Sequence, residues 1–495
     1  MSVPRWAGTA GGAEVQPATR GSAPALTPTA PRSRAWMMYT LLVVLFAFMG
    51  PYSLHPAAAT GDDAAIGASS AAAASAVAEG SFTRRIAVVL LAGVGALMLS
   101  AARRRRAQQA PLGTYVLPGA LAGPLPAVGP SYAVTPGPDA LAASPRQGRR
   151  LRWLLMAYVT IAAASLLWAD DPPLTARRAM VFLIIAFAAY AFAHAWSLRD
   201  VLYFSLFANA TSLILGIGGA LARGDFTPFA ADYRYVGFAN PNLHGIEAAC
   251  VIIAAVIALQ FTDRRRGILI ALIVFAFGML LLTKSRTALA SLLLAGGLGV
   301  MLRARRGRLA VVVMGIAAAA FAVVVFAPGI LEHVQNAALL GRSAAAEDPA
   351  TLTGRTLLWD DLLHYFVSAR PWFGYGYNSF WSPDHIAEES LRRGWVILQA
   401  HSGYLETLLN VGWVGVSLLI IVLFTGLWSA VRRYRATHAA VALFAATMLA
   451  WYICNMIAEA IPEAHFSTFV IMILLAHFAT RAAAPDDLET APAHP

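Results

Sequence analysis

Three arginines, a lysine and a histidine stand out in a chain that is otherwise mostly apolar: Arg234, Lys284, Arg286, Arg355 and His401. Arg355 opens an amphipathic helix in the stretch LTGRTLLWDDLLHYFVSARPWFGYGYNSFW, residues 352–381. Leu358, Leu362 and Phe366 share one face, Asp361, His364 and Ser368 another, and Pro371 ends it. A cation at a helix start opposes the macrodipole. The free amides of that first turn, however, suit an anion. Arg355 is thus poorly placed for stability and well placed for phosphate; the blander alternative is a surface pair with Asp360 or Asp361. Lys284, the sole lysine, lies beside Arg286 in LLTKSRTALA, between two apolar runs. Two such cations either snorkel to the interface or hold an anion there. Arg234 sits between two tyrosines in ADYRYVGFANPNLHG, where Asn-Pro signals a turn and Asn242 is expected to cap the next helix.

His401, in QAHSGYLETLLNVGWVG, stands at the mouth of another apolar run. Alone it is an ordinary interface residue. With arginines on the same side it can transfer a proton or position an acceptor. Glu406, one turn further on, is spaced to orient that imidazole. Tyr375 and Tyr377 alternate with glycines in RPWFGYGYNSFW. That pattern suits a tight turn with exposed ring faces, which stack on sugars or rest at the membrane interface.

Membrane spans must position these residues. Of 495 residues, 58% are hydrophobic and 13% charged, with mean hydropathy +0.62. Average soluble domains carry about 25% charged residues. Runs of about 20 apolar residues cross a bilayer. They are predicted at 35–54, 86–101, 153–169, 179–196, 201–222, 243–261, 267–283, 287–302, 309–328, 403–430, 437–455 and 465–480. The expected class is therefore an all-α polytopic membrane protein of about twelve transmembrane helices. With the N-terminus inside, the basic clusters at 103–106, 149–152, 264–266, 303–308 and 432–435 all fall on the cytoplasmic side. The candidate residues then share the opposite face. The net charge of +11 is accounted for by these clusters, so nucleic-acid binding is not indicated. Two cysteines in apolar runs, Cys250 and Cys454, give no disulfide framework, and no metal motif or cleavable signal peptide is recognised.

The predicted organisation is a disordered cytoplasmic tail (1–34), an N-terminal transmembrane hairpin (35–106) and a Pro/Gly/Ala-rich cytoplasmic linker (107–150). A transmembrane core (151–328), a large external loop with amphipathic helices (329–402), C-terminal transmembrane helices (403–481) and a cytoplasmic tail (482–495) follow.

TGRTLLWDDLLHYFVSARPWFGYGYNSFW, followed by AHSGYLETLLNVGWVG, resembles the O-antigen ligase and Wzy-type polymerase superfamily. KSRTALASLLLAGG and GFANPNLHG resemble its earlier motifs, so that the likeness covers about residues 150–480. The resemblance implies a GT-C-like, inverting, metal-independent glycosyltransferase without cofactor. It would act at the periplasmic face of the bacterial inner membrane, on a glycan carried by undecaprenyl pyrophosphate. It further implies that Arg286 and Arg355 hold the pyrophosphate and that His401 assists the acceptor hydroxyl. Arg234 is a weaker candidate for the donor site, and Lys284, Tyr375, Tyr377 and Glu406 are further candidates for substrate binding.

The form GRTLLW…RPWFGYGYNSFW resembles exopolysaccharide repeat-unit polymerases more than O-antigen ligases, which transfer the glycan to lipid A core. Expected partners are the lipid-linked donor, a glycan or lipid acceptor, the bilayer and a chain-length regulator. Rival readings are a transporter, with charges deep in several spans and broken helices, a structural scaffold, and a metalloenzyme built on His364, His385 and His401.

Overall fold

The computed structural model describes residues 32–49, 68–72, 74–75, 82–109, 145–230, 233–238, 240–304, 307–326, 355–461 and 464–480. The predicted tails, most of the Pro-rich linker, and Gly354 with the preceding part of the large loop lie outside them.

The described residues form an all-helical bundle: α1 Arg32–Met49, α2 Phe82–Gln109, α3 Pro145–Ala164, α4 Pro172–Ala195, α5 Leu198–Arg223, α6 Pro241–Ala258, α7 Arg266–Leu282, α8 Arg286–Arg303 and α9 Gly307–Phe326. After the large loop begins come α10 Arg355–Asp361, α11 Pro383–Arg393, α12 Gly403–Thr437, α13 Ala440–Asn455 and α14 Phe466–Thr480. Seven helices among the described residues are long and apolar enough to cross a membrane, and four more are apolar but shorter. The helices fall on the apolar runs of the sequence because each run is bounded by a helix stop. Asp171 and Pro172 open α4, a Ser197–Asp200 capping box opens α5, and Gly224 in the left-handed conformation closes it.

Helix α6 is buried on every side from Leu243 to Val251, and α13 and α14 are nearly so. These are the inner helices, largely apolar on every face. Lipid offers no hydrophobic drive between spans, so close approach through small residues does the packing. A Cβ on Gly297 of α8 would lie 2.9 Å from Ala317 of α9, and one on Gly299 would lie 3.1 Å from Thr447 of α13.

The large loop is fastened to a break in α12. Val411 and Gly412 leave helical geometry. The turn segment 371–376 supplies the missing partners: Trp413 and Val414 donate to the Pro371 and Trp372 carbonyls, and Tyr375 and Gly376 donate to those of Leu409 and Asn410. Irregular backbone is tolerated inside a membrane protein when its polar groups are met this way. Gly412 has φ +65°, and a Cβ there would lie 2.2 Å from the Trp372 carbonyl carbon. Gly412→Ala is therefore expected to cost about 1–3 kcal/mol for the backbone alone, and more for the clash. Thermal unfolding in detergent checks this, with a lowered midpoint expected.

The helix begun by Arg355 departs from the expected register. Its α turn gives way to a π turn at Leu362–Val367, so the buried residues are Leu358, Leu362 and Val367. The extra residue per turn moves Phe366 to a half-buried place and puts Val367 in the core.

Candidate active site

Helix α6 begins in a way that displays its second residue. Pro241 occupies the first turn and Asn240 is the cap, accepting from the Asn242 and Leu243 amides at 2.7 and 3.4 Å. The expected cap, Asn242, is corrected to Asn240, because proline prefers the first helical position. The Asn242 side chain is thereby released for other work. Its Oδ1 accepts from Arg234 Nη2 at 2.8 Å, and its Nδ2 donates to Glu459 Oε2 at 2.8 Å.

Glu459, in the turn between α13 and α14, is the junction of the site. It accepts from Arg355 Nη2 at 3.2 Å, and its other oxygen is 3.5 Å from His401 Nδ1. Arg355 Nη1 also donates to the Ala458 carbonyl at 2.6 Å, and Nη2 lies 3.5 Å from His401 Nδ1. The carboxylate side chain is 2% exposed, whereas Arg355 and His401 keep 13% and 15%. The anion is inside, and the two groups expected to meet substrate are the ones that reach outward. The alternative pairing of Arg355 with Asp360 or Asp361 gives way to Glu459; Asp361 bonds Arg392 and Arg393 instead.

Arg234 Nε donates to the Thr283 carbonyl at 3.0 Å, which seats its loop on the turn carrying Lys284 and Arg286. Gly245 lets that turn approach α6, since a Cβ would lie 2.7 Å from Ser285 Cβ. Lys284 and His401 both have positive φ, 50° and 51°. Non-glycine residues bear that conformation only where their surroundings hold it. The structure thus joins Arg234, Arg355 and His401 in one network and sets the Lys284–Arg286 turn against it. The half-buried Arg286 opens α8.

Other expected residues lie elsewhere. Glu406 accepts from the Ala400 amide at 2.8 Å and from Trp381 Nε1 at 3.0 Å, fixing the approach to α12. The carboxylate at His401 Nδ1 is Glu459. Tyr375 and Tyr377 are buried, correcting their expected exposure. Gly374 and Gly376, both at positive φ, curl the chain so that the Tyr375 hydroxyl reaches the Phe366 carbonyl and the Tyr377 ring packs 5.0 Å from Phe182. The exposed rings of that loop are Trp372 and Phe373. His364, His385 and His401 do not converge, and among the described residues no group of three metal-binding side chains forms.

Burial alone would raise the Glu459 carboxyl, but the Arg355 charge and the His401 contact outweigh it and hold it below its ordinary value of 4.5. A lowered folded value means that the stability this group lends is present above pH 4.5 and is lost as pH falls from there through the folded value. Glu459→Ala leaves its buried partners unmatched, an expected loss of about 3–5 kcal/mol at neutral pH. Thermal unfolding in detergent against pH checks both: the gap between wild type and variant should narrow only in acid.

Residues 271–420 match the family model of O-antigen ligase. The resemblance to the O-antigen ligase and Wzy-type superfamily is thereby shown. The O-antigen ligase match takes in Lys284, Arg286, Arg355, the aromatic loop and His401; Arg234, Asn242 and Glu459 lie outside it. No curated protein matches the chain. With its membrane-length helices, the chain is a multi-pass membrane protein whose residues 271–420 are similar to the O-antigen ligase family.

Proposed function

We propose that the protein transfers glycan from a polyprenyl pyrophosphate, undecaprenyl pyrophosphate in a bacterial inner membrane, onto a hydroxyl acceptor at the periplasmic face. The observation that carries this reading is the joining of Arg355 and His401 through one buried carboxylate, Glu459. The O-antigen ligase match over 271–420 supports it. On this reading the chain has twelve spans with the N-terminus inside, in a GT-C-like arrangement, and the site would face the side opposite the arginine clusters.

Arg355 and Arg286 are the proposed pyrophosphate holders, with Arg234 and Lys284 adding positive charge nearby. Guanidinium groups offer planar, permanently charged donors to phosphate oxygens. The acceptor oxygen attacks the anomeric carbon opposite the pyrophosphate. The new C–O bond forms as the old one breaks, which inverts the centre. The acceptor proton passes to His401 Nε2, and polyprenyl pyrophosphate departs. Glu459 serves this step by accepting from His401 Nδ1–H, the tautomer that leaves Nε2 free as base. At 3.5 Å that contact is long, and it is expected to tighten in the substrate complex. Charge neutralisation by arginine requires no divalent ion or other cofactor.

We favour polymerisation of repeat units, with ligation to lipid A core or another acceptor as the second reading. The glycan profile of a deletion strain separates them. Single repeat units where wild type makes long chains mean polymerase. Long chains left on polyprenyl pyrophosphate beside bare acceptor mean ligase. An unchanged profile returns the transporter reading, whose broken helix has a counterpart in α12; that break is filled by the 371–376 loop rather than lining a passage.

A further inference from the structure

A second polar cluster lies within the bundle, and the proposed chemistry makes no use of it. Glu247, on the second turn of α6, is fully buried with His244 and His465. One Glu247 oxygen is 2.8 Å from His244 Nδ1. The other accepts from Ser212 Oγ at 2.8 Å and lies 3.4 Å from His465 Nε2. The Ser467 amide donates to His465 Nδ1 at 3.2 Å, so a neutral His465 carries its proton on Nε2, facing Glu247. The carboxylate thus accepts from α5, from α6 and from the entry to α14.

An ionisable group in an apolar bundle is costly, and by default it marks function. The bland reading is an ionic rivet that merely ties three helices. Its placement argues for more. His244 follows Asn242 by two residues, and His465 follows Glu459 by six. The His244 ring packs at a tilt against Tyr235, next to Arg234, with centroids 5.0 Å apart. Gly237 of the same loop presses on that imidazole, for a Cβ there would lie 2.3 Å from His244 Nε2. The same three segments are therefore tied together twice: the Arg234 loop reaches Glu459 through Asn242 and Glu247 through His244, both on the start of α6, and the connection from α13 to α14 supplies Glu459 and His465.

We propose that Glu247 is a positioning residue. Through His244 and His465 it fixes the separation of Asn242 from Glu459, and so keeps the Glu459 carboxylate turned to Arg355 and His401. This inference rests on the glycosyl-transfer reading. It concerns the rate of the chemical step more than donor affinity, because Glu247 is shielded from substrate and Arg355 keeps its bond to the Ala458 carbonyl when Glu459 shifts, whereas His401 Nδ1 depends on Glu459.

The test uses full-length protein in nanodiscs with a polyprenyl-pyrophosphate-linked glycan. Rates are taken per folded molecule for wild type, E247L, E247Q, N242A and the double variant E247L/N242A. E247L is expected to lower kcat about 10–100-fold, with KM for the donor little changed. E247Q keeps the shape and one acceptor oxygen, and it should restore most of the rate. Acting on one frame, E247L and N242A should together lose little more than the worse single variant. Should E247L not fold, E247Q still decides: it is expected to be slower than wild type at unchanged KM. Three outcomes overturn the inference: wild-type rates in E247L or, failing its folding, in E247Q; losses that multiply in the double variant; or an effect confined to KM. A wild-type protein that transfers no glycan overturns the reading itself, and the inference with it.

Discussion

Replacing Arg355 with alanine is expected to reduce glycan transfer about 10²–10³-fold, the usual loss when one charge-stabilising donor is removed. On the proposed reading the leaving group is a pyrophosphate, and charge gathers on it as the glycosidic bond breaks. Arg355 is held ready for that charge. Its Nη1 is bound to the Ala458 carbonyl and its Nη2 to Glu459, which leaves other N–H donors for phosphate. The effect should fall chiefly on kcat if the interaction strengthens in the transition state, and on KM if it only anchors the donor. Arg355→Lys should remain far below wild type, because an ammonium cannot hold Ala458, Glu459 and a phosphate in one plane. Single-turnover release of polyprenyl pyrophosphate measures both, with membrane level of each variant as the control.

Replacing His401 with alanine is expected to lower the rate about 10²–10⁴-fold, the range for a general base. The imidazole is held in a left-handed backbone conformation, packs at a tilt with its centroid 5.7 Å from that of Trp395, and faces Glu459 through Nδ1. The Glu459 contact makes Nε2 the nitrogen proposed to meet an acceptor hydroxyl. Donor binding should survive in His401→Ala and weaken in Arg355→Ala, so the pair separates chemistry from anchoring.

The helices were legible from hydrophobic runs and their stops because lipid-exposed sequence has few other ways to satisfy its backbone. Arg355 and His401 were legible as charged groups on one face, a pattern that sidedness makes conspicuous. Glu459 was not. It lies 104 residues from Arg355 in a short turn, and no spacing rule links a lone carboxylate to a guanidinium that far along the chain. Glu247 was hidden for the opposite reason: a single acid inside an apolar run gives no sign of which histidines surround it. The Asn240 cap could have been read, since Pro241 favours the first helical position. The inward turn of Tyr375 and Tyr377 could not, because it depends on docking into the break at Val411–Gly412. The slip from Phe366 to Val367 likewise needed the π turn, which leaves no mark in the periodicity.

The most direct test of the central claim is a reconstituted assay. Purified wild-type protein and Arg355→Ala, in nanodiscs, are given a polyprenyl-pyrophosphate-linked oligosaccharide, and the release of free polyprenyl pyrophosphate is followed together with the lengthening or transfer of glycan. The expected result is equal molar release and transfer by wild type, and near-complete loss of both in the folded variant. Release without transfer, transfer without release, or a fully active Arg355→Ala would contradict it.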